Sequence, residues 1–189
     1  KGYTEWATGY TGNIQSFINY SPASGTIKFF AAADNNGDCA LYDVSTQNIS
    51  VIDLVTESGD FISTEAGVLL DTNKAATVYG LTNAKFRFAQ FANSGGHFTI
   101  AINDTDPLLL YDGTTWHEVT STSTPYAITG VDTSNLSDVI LHKRRVWFAE
   151  KDSLSGWYLD TDAVAGAATE FDFGPLFSQG GSIAKLTTW

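Results

Sequence analysis

A chain that repeats a short unit must bury each unit against its neighbours, so a repeat constrains the fold more than any single motif. Three stretches here share one layout of four strand-like runs. The first has Ile14 to Tyr20, Thr26 to Ala33, Cys39 to Val44 and Ile49 to Leu54. The second has Lys85 to Phe91, His97 to Asn103, Leu108 to Asp112 and Trp116 to Thr120. The third has Asp138 to His142, Arg145 to Glu150, Gly156 to Asp160 and Thr169 to Phe173. The third run of each carries a landmark: Leu41-Tyr42-Asp43, Leu110-Tyr111-Asp112 and Trp157-Tyr158-Leu159-Asp160. The spacing between the first two landmarks is lengthened by Thr56 to Thr82, which holds hairpin-like strands at Gly67 to Leu70 and Thr77 to Gly80. Without that stretch the period is about 45 residues, the length of a four-stranded propeller blade.

The turns agree. Asp112-Gly113 lies between Leu108 to Tyr111 and Trp116 to Val119 and is a strong hairpin signal, because glycine accepts positive φ. Asn35-Asn36-Gly37, Ser94-Gly95-Gly96 and Lys151-Asp152-Ser153 mark other strand junctions. Aromatics make up 13% of the chain, which suits pleated, half-buried surfaces. Ser134 to Lys143 has helical spacing at Leu136, Val139 and Ile140, but the matching position in the other units is strand-like, so a strand is expected. The expected fold is all-β: consecutive four-stranded antiparallel blades forming a partial β-propeller. Its blade-like units are residues 1–55, 85–124 and 125–176, with a β extension at 56–84 and the start of a further unit at 177–189. The last segment, Ile183 to Trp189, alternates like a strand. Three units do not close a ring of roughly four to eight blades, so further sequence or partner subunits must cover the open faces. The lack of any methionine also reads as part of a longer protein.

The formal charge of −11 argues against tight nucleic-acid binding, because the cationic surface that displaces counterions from phosphates is missing. One cysteine, Cys39, excludes an intrachain disulfide and multi-cysteine zinc. No apolar run reaches the roughly 18 residues of a membrane-spanning helix. Asp34-Asn35-Asn36-Gly37-Asp38 places oxygen ligands at alternate positions, as calcium loops do, but Cys39 and Ser45 stand where an EF-hand needs glycine and glutamate. An ordinary Asx turn is the favoured reading. His97, His117 and His142 have no zinc-motif spacing, and His117 reads as an exposed strand residue. Nucleophile elbows, phosphate-binding loops and dinucleotide fingerprints are absent. No catalytic residue, cofactor or metal is expected.

His142-Lys143-Arg144-Arg145 is the one basic cluster in an acidic chain. It is the candidate partner-contact site, with a charged turn between strands as the simpler reading and Arg145 as a residue stacked or paired beside aromatics such as Trp147. Tyr42, Tyr111, Trp147 and Tyr158 are the expected folding landmarks.

Several segments resemble the tail proteins of short-tailed phages and prophages. They include Gly2-Tyr3-Thr4-Glu5-Trp6-Ala7-Thr8-Gly9, Lys28-Phe29-Phe30-Ala31-Ala32-Ala33, Leu41-Tyr42-Asp43-Val44 and Leu110-Tyr111-Asp112-Gly113-Thr114-Thr115-Trp116. Others are Lys143 to Leu154, Trp157-Tyr158-Leu159, Ala163 to Ala168, Gly180-Gly181 and Thr187-Thr188-Trp189. The resemblance spans the chain but only the front part of the family's length. It implies a non-catalytic, propeller-containing nozzle or tail-stabilisation protein of the virion, made in the host bacterial cytoplasm. Such a protein self-associates in a six-fold ring, contacts the portal, adaptor and other tail proteins, and lets genomic DNA pass without sequence-specific binding. On that reading Arg145→Ala weakens ring assembly, and Thr56 to Thr82 is a second contact region. A carbohydrate- or host-surface-binding β module and a propeller glycosidase stay open as alternatives; neither has a positive signature.

Overall fold

The computed structural model describes residues 12–46, 76–177 and 179–188. Its elements are strands and two single 3-10 turns. β1 (Asn13–Tyr20), β2 (Lys28–Asn35), β3 (Asp38–Asp43) and β4 (Val78–Leu81) form the first antiparallel sheet in that order. β5 (Arg87–Asn93), β6 (Gly96–Ile102), β7 (Leu108–Tyr111) and β8 (Trp116–Val119) form the second. Beyond them come β9 (Ile128–Thr129), β10 (Leu136–His142), β11 (Arg145–Glu150), β12 (Ser155–Tyr158), β13 (Gly166–Ala167) and β14 (Thr169–Asp172). The third sheet runs β10-β11-β12-β14, while β9 and β13 make a short parallel pair. The all-β class and the four-stranded antiparallel units match the sequence-based expectation. Residues 136–142 are a strand, preceded by one 3-10 turn that Asp132 caps by accepting from the Ser134 amide.

The first unit differs in its last strand. Val78–Leu81 pairs with β3 and so fills the edge expected for Ile49 to Leu54, which lies outside the described residues. The Thr77 amide and hydroxyl both donate to the Leu41 carbonyl, at 2.6 and 2.8 Å, and fasten the start of that strand. The segment read as an extension between units therefore ends inside the first unit. Gly67 to Leu70 also lies outside the described residues.

The sheets stack face to face in one direction. Phe30, Ala32 and Leu41 on the front of the first sheet pack against Ala101, Leu109 and Tyr111 on the rear of the second. Alternation sends Ile100, Leu108 and Leu110 out of the opposite face of the second sheet. There they meet Val139, Val146 and Phe148 on the rear of the third. Rings at the first contact meet edge to face, with Phe30 4.9 Å from Tyr111 and 5.0 Å from Trp116.

The landmark tyrosines are not equivalent. Tyr42 and Tyr111 lie on the rear faces of their sheets, and the residue doing the same in the third is Leu159, fully buried in the core between the second and third sheets. Tyr158 pairs across from Trp147 and points from the front face. A one-residue step along a strand flips the side chain to the other face, so Leu159-Asp160 is the true counterpart of Tyr111-Asp112. Of the four expected folding landmarks, Tyr42 and Tyr111 are buried, whereas Trp147 and Tyr158 sit half-buried on the last sheet's open front.

Both ends of the stack carry exposed apolar side chains. Phe17 and Phe29, on the rear of the first sheet, are 62% and 49% exposed, and Phe171, on the front of the third, is 42% exposed.

Candidate functional site

The basic cluster is first of all a turn. His142 pairs with Arg145, and the two residues between them have left-handed backbone, with φ of 48° at Lys143 and 61° at Arg144. This two-residue hairpin geometry matches the twist of the flanking strands. Arg144 is held by the Asp162 carboxylate through its Nε at 2.8 Å, and the Asp162 amide returns a bond to the Arg144 carbonyl at 2.9 Å. Arg145 lies with its guanidinium carbon 5.2 Å from the Tyr158 ring centre and donates to the Leu159 carbonyl at 3.2 Å. The expectation of a stacked or paired Arg145 holds, with Tyr158 and not Trp147 as the ring. His142 Nδ1 contacts Thr188 Oγ1 at 3.2 Å. Lys143 is exposed, and no ion pair to it occurs among the described residues.

Beside this turn lies a groove of about 580 Å³ on the front of the third sheet. Ile140, Trp147 and Phe173 form its floor, His142 and Lys143 stand at one rim, and Leu186 to Thr188 form the other. Trp147, Tyr158, Phe171 and Phe173 make a continuous aromatic surface here, with ring centres 4.6 to 6.2 Å apart. The Trp147 Nε1 proton is buried and has no acceptor among the described residues. The structure thus joins two features that looked separate in the sequence: the basic corner and the open apolar flank.

The other candidate clusters are turns. The Asp34 carboxylate accepts from the Gly37 amide at 2.8 Å and from Gln15 at 2.7 Å, so its oxygens serve the β2–β3 hairpin. Asn36 and Gly37 are that hairpin's two positive-φ residues, at 54° and 93°. No group of three or more metal-ligating side chains occurs among the described residues. His117 is half-buried, contrary to its exposed reading: Asp112 holds its Nε2 at 2.9 Å while Tyr126 meets its ring edge to face. Asp112 also accepts from the Thr114 and Thr115 amides, making the Asp112-Gly113 hairpin a four-residue Asx loop.

Asn103-Asp104-Thr105-Asp106 reads in the sequence as a turn cluster like Asp34 to Asp38, but its contacts to Thr82 and Asn83 had no reading there. The Asp106 carboxylate accepts from the Thr82 amide, the Thr82 hydroxyl, the Asn83 amide and the Asn103 side chain, and so ties the connection between the first two sheets to the β6–β7 loop. A second missed feature is the recurrence of Ala84-Lys85-Phe86 as Ala184-Lys185-Leu186. The signal was present in the residues but short enough to pass as chance.

No family model matches the chain, and neither a curated protein nor a solved structure is similar to it.

Proposed function

We propose that this chain is a structural, non-catalytic wall component of a phage tail, its sheets being successive blades of a β-propeller carried by a ring-forming nozzle or tail-stabilisation protein. The observation that carries this reading is the one-way stack of like sheets with unlike, apolar ends. Such a piece is built to be continued by more of the same material, which suits a wall better than a self-contained enzyme. The sequence segments that resemble short-tailed phage proteins support the same assignment. An excess of negative charge suits a surface along which DNA slides without adhering. The exposed Lys143 turn offers a positive corner to neighbouring, mostly acidic copies.

Two measurements test the reading. Immunogold electron microscopy of purified virions, with serum raised against this chain, places gold at the tail; gold on the capsid alone, or none, rejects the assignment. In native mass spectrometry, Lys143→Glu lowers the ring population, because it reverses the exposed cation of that turn. Arg145→Ala has the smaller effect on rings and the larger one on folding, since its guanidinium is already engaged within the sheet. Equal ring populations in wild type and Lys143→Glu remove the Lys143 turn from the interface.

A further inference from the structure

The way the chain enters each sheet repeats, and the repetition extends past the third sheet. The entry to the second sheet is held by β1: Ser16 Oγ donates to the Ala84 carbonyl at 2.5 Å and accepts from the Phe86 amide at 3.1 Å. The entry to the third is held by β5, where Arg87 donates to the Ser137 carbonyl at 2.8 Å. Beyond the third sheet, β10 does the same job. Asp138 Oδ2 accepts from the Leu186 amide at 2.6 Å, and Arg87 also reaches the Ala184 carbonyl at 3.3 Å. Ala184-Lys185-Leu186 therefore stands to β10 as Ala84-Lys85-Phe86 stands to β1. The difference is cover: Ala84 and Phe86 are buried beneath the second sheet, while Ala184 is exposed and Leu186 half-buried.

We infer that the front of the third sheet is the seat of a fourth four-stranded sheet, and that residues 183–188 are the entry to that sheet, already in position, its first strand beginning at Thr187 as β5 begins at Arg87. The occupant is an antiparallel sheet that continues from that strand and lays its rear face over Trp147, Phe171 and Phe173. Two observations point to such an occupant. The same front-to-rear contact is made twice elsewhere in the molecule, so the open front continues an interface already used. The entry is anchored without its cover: among the described residues the bond from the Ile183 amide to the Ser153 carbonyl, at 2.8 Å, is the one main-chain pairing of 183–188, and Leu186 is half-buried where Phe86 is buried.

The test begins with the chain as it is. Hydrogen exchange should show the Ile183 and Leu186 amides slowed about tenfold or more relative to an unstructured peptide. Asp138→Ala should abolish the Leu186 protection, and Asp138→Ser, which copies the role of Ser16, should restore it. The second arm copies Gln90–Val119 onto the chain after Trp189, which keeps the register set by Ala184-Lys185-Leu186. The extended protein should unfold at a higher temperature, and its Trp147 indole proton should exchange about tenfold more slowly. Unprotected Ile183 and Leu186 amides in the wild-type chain overturn the inference. So does an extension that leaves both the melting temperature and Trp147 exchange unchanged, or dimerisation of the unextended chain that buries the Trp147 face against a second copy.

Discussion

Asp106→Ala is expected to destabilise the fold by about 3–5 kcal/mol, because one buried carboxylate holds four donors and its removal breaks all four charge-assisted bonds at once. The bonds measure 2.9 Å from the Thr82 amide, 2.6 Å from its hydroxyl, 3.2 Å from the Asn83 amide and 2.6 Å from Asn103. Two of these donors belong to the backbone that leaves the first sheet, so the variant loosens the joint between sheets as well as the loop. Urea unfolding measures the loss, with Asp160→Ala as control. The Asp160 side chain is 91% exposed, so that change should stay within about 0.5 kcal/mol. A loss below about 1 kcal/mol for Asp106→Ala would mean that the network contributes geometry without stability.

The same carboxylate sets an acid limit. Burial pushes the Asp106 carboxyl up, but the bonds from Thr82, Asn103 and Asn83 outweigh it and hold the group below its ordinary value of 3.8. Asp43 and Asp112 are lowered in the same manner, burial being outweighed by Lys28 and Ser45 at one, and by the Thr115 amide and His117 at the other. A carboxyl lowered in the folded state binds protons less readily there than in the unfolded chain. Its stabilisation is therefore complete above the unfolded value, near pH 4, and is lost as pH falls through the lower folded values. Thermal melts should be level just above pH 5 with respect to these groups and decline below about pH 4, and Asp106→Asn should flatten that decline.

Phe30→Ala is the second large effect, at about 3–5 kcal/mol for an emptied core site. Phe30 is almost wholly buried, fills the contact between the first two sheets and meets both Tyr111 and Trp116 edge to face. Phe17→Ala is the matched control on the other face of the same sheet, where the ring is mostly exposed; it should change stability by about 0.5 kcal/mol or less. Equal losses for the two would show that Phe17 is covered in solution by material packed on the rear of the first sheet. Thermal unfolding at several protein concentrations separates these outcomes, because cover by a second copy depends on concentration.

The strands of the second and third units were legible because alternation and turn residues act locally. Asn36-Gly37 and Asp112-Gly113 announce hairpins whatever the rest of the chain does. The last strand of the first unit was not legible. Ile49 to Leu54 and Thr77 to Gly80 are both strand-like, and which one joins β3 is decided by long-range pairing that no local pattern encodes. The landmark at Tyr158 misled for a related reason: shared residue types were matched, but the face is set by register, and Leu159 holds the buried position. The basic turn was readable as a turn. Its place beside an aromatic groove was not, because Phe173 and Leu186 come to it from far along the chain. The Asp106 network was hidden by the same distance, since Thr82 and Asn83 lie 24 and 23 residues before it.

The common orientation of the sheets gives the molecule a head and a tail. Duplication or loss of one whole unit still leaves a front facing a rear at every boundary. A first unit turned around would press rear against rear, with Tyr42 meeting Tyr111 in place of Phe30, Ala32 and Leu41. Lengthening is thus permitted in whole steps and in a single sense, a rule imposed by side-chain alternation and not by any particular residue.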